Sequence, residues 1–313
     1  MDTSAGQVPE KAGSTPSMAP DFRAALVAAA DAVDTALERV LPKPGGAHAR
    51  VHEAMRYAVF AGGKRLRPFL VLQSASLFAV EPEQAVRAAA AIEALHTYSL
   101  VHDDLPCMDD DDLRRGRPTT HRAFDEATAV LAGDALLTVA FEILADDATH
   151  DQAAVRCRLV RELATAAGSN GMVGGQMIDM LAPDKTFGAD DVMNLQRLKT
   201  GALFEFCCVA GAILGQAGAE HEARLRDYAR DIGLTFQITD DLLDVLGSAE
   251  KTGKAVGKDQ DQGKATLVSL WGVDAARGKA ETLARRAAQT LAPYGPAAAA
   301  LQALPAFLLD RDS

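Results

Sequence analysis

The sequence has 313 residues, of which 48% are hydrophobic and 5% aromatic, and its formal net charge is −11. A chain of this size can bury a substantial core, and its acidic balance disfavours nucleic acid, whose phosphates attract basic surfaces. Abundant alanine and few alternating apolar stretches predict an all-α protein. The 4 cysteines form no C-x-x-C pair, which disfavours a zinc site or a disulfide framework and indicates a reducing, cytoplasmic environment.

The N-terminal segment, residues 1–20, differs in composition from the rest of the chain. It is rich in Gly, Ser, Pro and Thr, and it lacks the basic start and the apolar stretch of a secretory signal. We therefore expect residues 1–20 to form a disordered tail and residues 21–313 to form one domain. No stretch of about 18 apolar residues without charges occurs, so no membrane-spanning helix is predicted.

Helical periodicity bounded by Pro and Gly covers most of the remaining chain. Helices are predicted over 21–41, 47–60, 68–80, 83–102, 126–145, 153–167, a short segment ending near 181, 189–216 and 221–246, with two or more closing helices over 265–309. The segment 103–120 is predicted to be a helix end followed by an irregular loop, because it has two prolines and little apolar content. A charged loop with several glycines is predicted over 248–264.

The first group of candidate binding residues is basic. The segment GGKRLRP, residues 62–68, places Lys64, Arg65 and Arg67 at the start of a predicted helix. Backbone N–H groups and the helix dipole favour anions there. The spacing of a P-loop is absent, and the segment alone is also typical of an ordinary basic loop before a helix.

An acidic group followed by a basic group occupies residues 102–121, HDDLPCMDDDDLRRGRPTTH. Asp103 and Asp104 end the Ala-rich helix, residues 109–112 are all Asp, and residues 114–117 include three arginines. These charges could simply pair with one another. A metal–diphosphate site needs the same two sets, however: acids to hold the metal and arginines to bind the remaining phosphate oxygens.

A second acidic group, DDLLD, covers residues 240–244. Asp240 and Asp244 are four residues apart, so on a helix their carboxylates share one face. A hard divalent cation relieves their repulsion, and Mg²⁺ usually binds one or two carboxylates together with substrate phosphates. The alternative is a solvated acidic face, but the apolar flanks GLTFQIT and LLDVLG indicate a core setting in which acids need partners.

In this order, GGKRLRP, DDLPCMDDDDLRRGRPTTH, KTG at 199–201, FQITDDLLD and GKAVGKDQDQGK resemble the motifs of the trans-prenyl diphosphate synthases. The resemblance runs from about Phe22 to the C-terminus and is nearest to bacterial enzymes that make farnesyl diphosphate. It implies a bundle of long helices around a central cavity, of the isoprenoid synthase type, and a homodimer. It also implies Mg²⁺-dependent condensation of isopentenyl diphosphate with dimethylallyl or geranyl diphosphate, without nucleic acid and without stable membrane insertion.

The same resemblance implies roles for single residues. The expected ligands of several Mg²⁺ ions, for which Mn²⁺ is an alternative, are Asp103, Asp104, Asp109, Asp240, Asp241 and Asp244. The expected contacts of the allylic diphosphate are Arg114, Lys199 and Lys254, and those of isopentenyl diphosphate are Lys64, Arg67, His96 and Arg115. Thr200 and Gln237 would lie beside the developing positive charge, together with Lys199 as the catalytic set. Lys258 and Asp259 would help to close the site, and Gln176 and Asp179 would lie in the cavity wall.

The implied chemistry needs no protein nucleophile. Metal ions and cationic side chains stabilise the diphosphate that leaves the allylic substrate, and the double bond of isopentenyl diphosphate attacks the carbocation. A proton is then lost. Water must be kept from the cation, so a closing loop and an apolar tunnel are expected.

Tyr98 and Ser99 are the candidates for the residue that limits product length. Both precede Asp103 by about one helical turn. Periodicity favours Ser99 for the face that carries Asp103, whereas the resemblance points to Tyr98 as the floor of the tunnel. The two extra residues Pro106 and Cys107 also match the farnesyl type.

Alternative functions remain within and outside this enzyme class. A geranylgeranyl or geranyl diphosphate synthase would share the motifs, and a terpene cyclase would share the acidic ones. A silent subunit of a heteromeric synthase is the non-enzyme alternative. Both acidic motifs are intact and both basic motifs are present, which favours an active condensing enzyme.

Overall fold

The computed structural model describes residues 20–182, 185–246 and 265–310. Within them the chain is almost wholly helical, which confirms the predicted all-α fold. The expected tail of residues 1–20 lies outside the described residues except for Pro20, which begins the first helix.

The first half of the described chain consists of helices and one short hairpin joined by loops. Its helices and strands are α1 Pro20–Val40, a 3₁₀ turn Gly46–His48, α2 Ala49–Val59, α3 Leu66–Ser76, α4 Pro82–Asp103, β1 Leu113–Arg114, β2 Arg117–Pro118, α5 Thr120–Ala123, α6 Glu126–Ala145 and α7 Ala153–Ala167. Pro82 is in the first turn of α4, where the missing N–H of proline costs nothing. Asp125 caps α6 by accepting a 2.8 Å hydrogen bond from the Thr128 N–H.

The second half supplies the central helix and the closing helices. Its elements are α8 Met172–Leu181, α9 Ala189–Gln196, a π-turn Arg197–Gly201, α10 Ala202–Leu214, α11 Ala219–Leu246, α12 Leu267–Trp271, α13 Val273–Thr290, a 3₁₀ turn Ala292–Ala298 and α14 Ala299–Asp310. The single helix predicted over 189–216 is therefore wrong in one respect, because a wider π-turn interrupts it. Such turns are frequent at functional sites, and apolar periodicity alone does not reveal them.

The buried core is organised around α10. Nearly all of its side chains are buried, and it packs against α3, α7 and α11. Gly211 allows the close approach to α3, since a Cβ atom there would lie 2.3 Å from the Ala75 backbone nitrogen.

The loop predicted over 103–120 contains a short hairpin, so the expectation of a wholly irregular loop is wrong. Leu113 pairs with Pro118, and Arg114 pairs with Arg117. The two turn residues, Arg115 and Gly116, have φ values of 54° and 74°. Two successive residues with positive φ form the turn that fits the twist of a two-residue hairpin.

Helix α6 is long and apolar enough to cross a membrane by length and composition alone. Its inner face packs against α4 and α2, while Val130 and Leu131 on the outer face are exposed. Asp134 lies at its middle and is also exposed. In this fold α6 packs on one side against its neighbours, and its exposed side mixes apolar and acidic residues.

Arg65 holds the loop before α3 to the rest of the bundle. Its backbone is left-handed, with φ 47°, and its guanidinium group is fully buried. It pairs with Glu93 at 2.5 Å and with Asp34 at 2.9 Å, and it donates to the Val59 carbonyl oxygen at 2.7 Å. This residue is structural, in contrast to the neighbouring Lys64, which is exposed.

The Arg65 pair gives a test of what stabilises this part of the fold. Arg65→Ala leaves the buried Glu93 carboxylate without its cation, so we expect the free energy of unfolding to fall by about 3–5 kcal/mol. Arg39→Ala removes an exposed pair with Glu83 and is expected to cost about 0–1 kcal/mol. Urea unfolding measures both variants, and equal losses would contradict this account.

Candidate active site

The first acidic motif folds back on the end of α4. The Asp109 N–H donates to the Asp103 carbonyl oxygen at 2.8 Å, and the Asp110 N–H donates to the Leu105 carbonyl oxygen at 3.2 Å. This turn brings the Asp109 side chain into the electrostatic range of Asp103. Burial raises the pKa of the Asp103 carboxyl to about 6; Lys199 opposes this shift and Asp109 adds to it. Two predicted metal ligands and one predicted catalytic cation are thus brought together.

Asp104 and Arg114 bind each other. Arg114 Nε lies 2.8 and 2.9 Å from the two Asp104 carboxylate oxygens, and Nη2 lies 2.5 Å from Oδ1. Asp104 is only 3% exposed, and burial raises its pKa although Arg114 opposes the shift. The pair ties the hairpin to the end of α4. The predicted metal role of Asp104 and the predicted diphosphate contact of Arg114 stay predictions, since both side chains are engaged with each other.

Cationic side chains surround His96 on α4. Arg67 Nη1 lies 3.1 Å from His96 Nε2, and because arginine can only donate, Nε2 accepts and carries no proton. The His96 pKa lies well below its usual value. Burial is the largest cause, and the positive charges of nearby arginines lower the pKa further; these are Arg67, Arg115, Arg114 and Arg65. His96 is therefore neutral, and its Nδ1–H remains a donor. Arg65 and Arg114 are already paired with carboxylates, so Arg67 and Arg115 are the guanidinium groups of this set that favour an anion here.

The two basic motifs meet at Gly63. Gly63 has φ 139°, and a Cβ atom there would lie 2.5 Å from Arg115 Nη1. The Arg115 side chain thus lies over the glycine loop, and Lys64 is the residue that follows this loop in the chain. The structure brings together Arg67, His96 and Arg115, three of the four residues for which the resemblance implied contact with isopentenyl diphosphate, and the fourth, Lys64, follows Gly63 directly in the chain.

Lys199 lies in the π-turn and is held by Asp179 of α8. Its Nζ atom is 2.7 Å from Asp179 Oδ2. Burial alone would lower the pKa of Lys199, but Asp179, and further Asp103 and Asp109, raise it. A Cβ atom at Gly175 would lie 2.2 Å from the Lys199 backbone nitrogen, so only glycine lets α8 approach this closely. Thr200, in the same turn, is buried.

Two of the predicted glutamines lie on α8 and α11, the helices that pack against the π-turn. Both side-chain polar atoms of Gln176 are buried without a hydrogen-bond partner in the described part of the chain, which is rare for a buried amide. This fits its expected place in the wall of a ligand site. Gln237 is half-buried on α11, three residues before Asp240 and hence on the same side of that helix.

The second acidic motif ends α11 and divides between two faces. Asp240 is exposed and Asp244 half-buried, four residues apart as predicted for one face. Asp241 is buried, and its Oδ2 accepts from Gln196 Nε2 at 3.4 Å and from the Leu267 N–H at 3.3 Å. Its predicted metal role stays a prediction, because the carboxylate joins α9 and α12 to α11. Gln196 was missed by the sequence analysis, since a glutamine in a helix carries no distinguishing signal.

The donor atoms fit a magnesium site of the open kind. The carboxylates of Asp103, Asp109, Asp240 and Asp244 are hard oxygen ligands, which suit Mg²⁺ or Mn²⁺. In the described ranges, no three His, Cys, Asp or Glu side chains form a complete metal cage. Mg²⁺ normally keeps several waters and binds one or two carboxylates together with phosphates. The pair Asp103 and Asp109, and the pair Asp240 and Asp244, each offer that number of carboxylates. The π-turn packs against both α8 and α11, and so connects Lys199 to the helix of the second motif.

Tyr98 and Ser99 differ in their surroundings. Tyr98 is 7% exposed, and its ring meets the His102 ring edge-on, with centroids 5.4 Å apart. The pKa of Tyr98 is raised by burial, then by Asp103 and Asp134, which places its ring near the first acidic motif. Ser99 is half-buried and donates to the His96 carbonyl oxygen at 2.8 Å.

A separate cavity of about 340 Å³ lies behind the π-turn. Its lining includes Arg197, Leu198, Phe206 and Arg226. None of the predicted site residues that the structure describes lines it.

Lys254, Lys258 and Asp259 lie outside the described residues. The four cysteines, as expected, are free thiols.

Comparisons with known proteins agree on one family. A family model described as polyprenyl synthetase matches residues 48–295. The chain is 46% identical to a farnesyl diphosphate synthase of Geobacillus stearothermophilus over 249 residues, 79% of this chain and 84% of the relative. It is 45% identical to a chloroplastic geranylgeranyl pyrophosphate synthase of Catharanthus roseus over 297 residues, 94% of this chain and 82% of the relative. The apo structure of an FPP/GFPP synthase from Zymomonas mobilis has a TM-score of 0.86 and 46% identity, and covers 93% of this chain and 100% of that chain.

The raised pKa of Asp103 can be measured directly. In metal-free protein we expect the ¹³C NMR signal of the Asp103 carboxyl to titrate near pH 6. Asp109→Asn removes a negative neighbour and should lower that pKa, because ionising Asp103 then meets less repulsion. Asp125, whose pKa is lowered to about 2 by bonds from Arg50 and Thr128, is the internal control and should not move. An unchanged Asp103 pKa in the variant would contradict the proximity of the two carboxylates.

Proposed function

Because the chain belongs to the polyprenyl synthetase family and is therefore a prenyltransferase, we propose that it condenses isopentenyl diphosphate with dimethylallyl and geranyl diphosphates to give farnesyl diphosphate. The observation that carries this proposal is the arrangement on α4. His96 and Asp103 lie seven residues apart on one helix. His96 is neutral and surrounded by arginines, and Asp103 lies close to Asp109. An anion site thus adjoins a carboxylate site, as two diphosphate substrates require.

The basic side would hold isopentenyl diphosphate. Arg67 and Arg115 offer charge-assisted hydrogen bonds to phosphate oxygens, and Lys64 adds an exposed ammonium group. The His96 ring, fixed by Arg67 at Nε2, can donate from Nδ1. Since isopentenyl diphosphate keeps its diphosphate through the condensation, a site built from permanent cations suits it.

The acidic side would hold the allylic diphosphate through magnesium. Asp103 and Asp109 of one motif, and Asp240 and Asp244 of the other, would be the ligands. When bound, Mg²⁺ supplies the positive charge that stabilises the departing diphosphate. Lys199, positioned by Asp179 and raised in pKa, keeps its proton and would bind the same leaving group.

The residues beside the reacting carbons would stabilise positive charge without reacting with it. Thr200 in the π-turn and Gln237 on α11 present a hydroxyl group and an amide oxygen, whose dipoles favour an adjacent cation. The buried amide of Gln176 lies on α8 near the same turn. Burial of these groups also keeps water from the carbocation, which would otherwise be quenched.

Product length is the finer part of the proposal. The Tyr98 ring is buried and lies about one turn from Asp103. This supports its proposed role as the floor of the tunnel, which would stop chain growth at fifteen carbons. The farnesyl diphosphate synthase of Geobacillus stearothermophilus, at 46% identity, supports the same product. Geranylgeranyl diphosphate is the second candidate, because a geranylgeranyl pyrophosphate synthase matches at 45% identity.

A homodimer in the cytoplasm is the assembly that we propose. The exposed apolar side chains of Val130 and Leu131 on α6 support a subunit interface, since contiguous exposed apolar surface marks contact sites. The four free thiols support a reducing compartment. Sedimentation equilibrium should give twice the chain mass of 33.0 kDa, and a monomer at micromolar concentration would refute the dimer.

A product assay tests the proposed function. Purified protein with Mg²⁺, isopentenyl diphosphate and either allylic primer should release a fifteen-carbon diphosphate, and a chelator should abolish the reaction. Asp240→Asn should lower the rate by roughly 100-fold through loss of one metal ligand. Asp227→Asn, an exposed residue of the same helix, should leave the rate unchanged. A longer product would refute the farnesyl assignment alone, and no condensation with any primer would refute the function.

A further inference from the structure

His102 stands between the Tyr98 ring and α6. Its imidazole meets the Tyr98 ring edge-on, with centroids 5.4 Å apart and an interplanar angle of 87°. Its Nε2 lies 3.0 Å from the Val130 carbonyl oxygen of α6. Because that oxygen can only accept, Nε2 carries the proton and donates. The ring is therefore fixed from two sides, by Tyr98 of its own helix and by the backbone of the neighbouring helix.

Gly133 makes room for this ring. A Cβ atom at position 133 would lie 2.1 Å from His102 Nε2 and 2.4 Å from Cδ2, far inside contact distance. A glycine in a helix interior weakens the helix relative to alanine, so its presence in α6 needs a structural reason. The reason visible here is the notch that receives the imidazole.

The direction of His102 separates it from the metal motif beside it. Although it precedes Asp103 in the chain, its Nε2 is engaged with α6. The Asp134 carboxylate is also near the imidazole, but its Oδ1 lies 4.0 Å from Nε2, at the outer limit of an ion pair. The Asp134 side chain is exposed. The chief contacts of the imidazole are thus the Tyr98 ring, the Val130 carbonyl and the Gly133 notch.

We propose that His102, seated in the notch at Gly133, is a positioning residue that sets product length by holding the Tyr98 ring across the tunnel. This inference rests on the proposed function, in which Tyr98 limits the chain. An edge-to-face contact favours one orientation of the tyrosine ring over its alternatives. Without that contact the ring turns aside more often, and a further five-carbon unit enters.

The experiment compares product distributions from Gly133→Ala, His102→Ala and the double variant, each with isopentenyl and geranyl diphosphates. In Gly133→Ala the new methyl group displaces the imidazole, while alanine itself favours the helix. Each single variant should raise the fraction of products longer than fifteen carbons roughly fivefold, the factor expected for one aromatic contact. Tyr98→Ala should raise it further.

The double variant decides whether the two residues act together. Once residue 102 is alanine, a methyl group at 133 has no ring to displace, so the double variant should match His102→Ala alone. Gly278→Ala, in α13 with open space around its Cβ position, is the control and should leave the distribution unchanged. Thermal unfolding of each variant shows that the fold is retained, and His102→Ala alone suffices if Gly133→Ala does not fold.

The outcomes separate this inference from the proposed function. Wild-type protein that makes no condensation product would overturn both. If Tyr98→Ala lengthens the product but His102→Ala and Gly133→Ala do not, the supporting role is wrong and the function stands. Additive effects in the double variant would show that position 133 acts without His102, which would also overturn the inference.

Discussion

The bidentate pair between Arg114 and Asp104 is the contact on which the arrangement of the site depends. It fastens the hairpin to the end of α4, where both partners are largely shielded from water. With the hairpin fixed there, Asp109 folds back on Asp103, and Arg115 extends over the glycine loop before α3. One buried ion pair thereby sets the positions of the acidic and basic groups at the same time. Removing either partner would leave an unpaired charge in a poorly solvated place, which costs several kcal/mol.

The two sides of the site have opposite electrostatic character. Burial and surrounding arginines hold the His96 pKa down, whereas burial and Asp109 raise that of Asp103 to about 6. A phosphate anion near His96 would raise its pKa, and a cation near Asp103 would lower that of the carboxyl. Each side is thus complementary to a charge of opposite sign, and α4 carries both. The condensation of two diphosphates needs this separation. The diphosphate that leaves the allylic substrate must be stabilised, while isopentenyl diphosphate keeps its diphosphate group.

Much of the fold could be predicted from the sequence, because helical periodicity is a local pattern. Periodicity predicted helices over 126–145 and 153–167, and α6 and α7 have these bounds. The π-turn was missed because one extra residue in a helix leaves the apolar pattern almost unchanged. Arg65 was grouped with Lys64 and Arg67, although its partners Asp34 and Glu93 are far apart in sequence. Gln196 and the His102–Gly133 contact depend on tertiary packing, which no short motif reports.

Calorimetry of substrate binding in the presence of a chelator tests the central claim most directly. If cationic side chains form one diphosphate site and carboxylates form a metal-dependent one, isopentenyl diphosphate should bind metal-free protein. Geranyl diphosphate should bind tightly only after Mg²⁺ is added. Arg67→Met should weaken the binding of isopentenyl diphosphate roughly tenfold or more, the cost of one charge-assisted hydrogen bond. Equal dependence of both substrates on Mg²⁺ would contradict the division of the site into two sides.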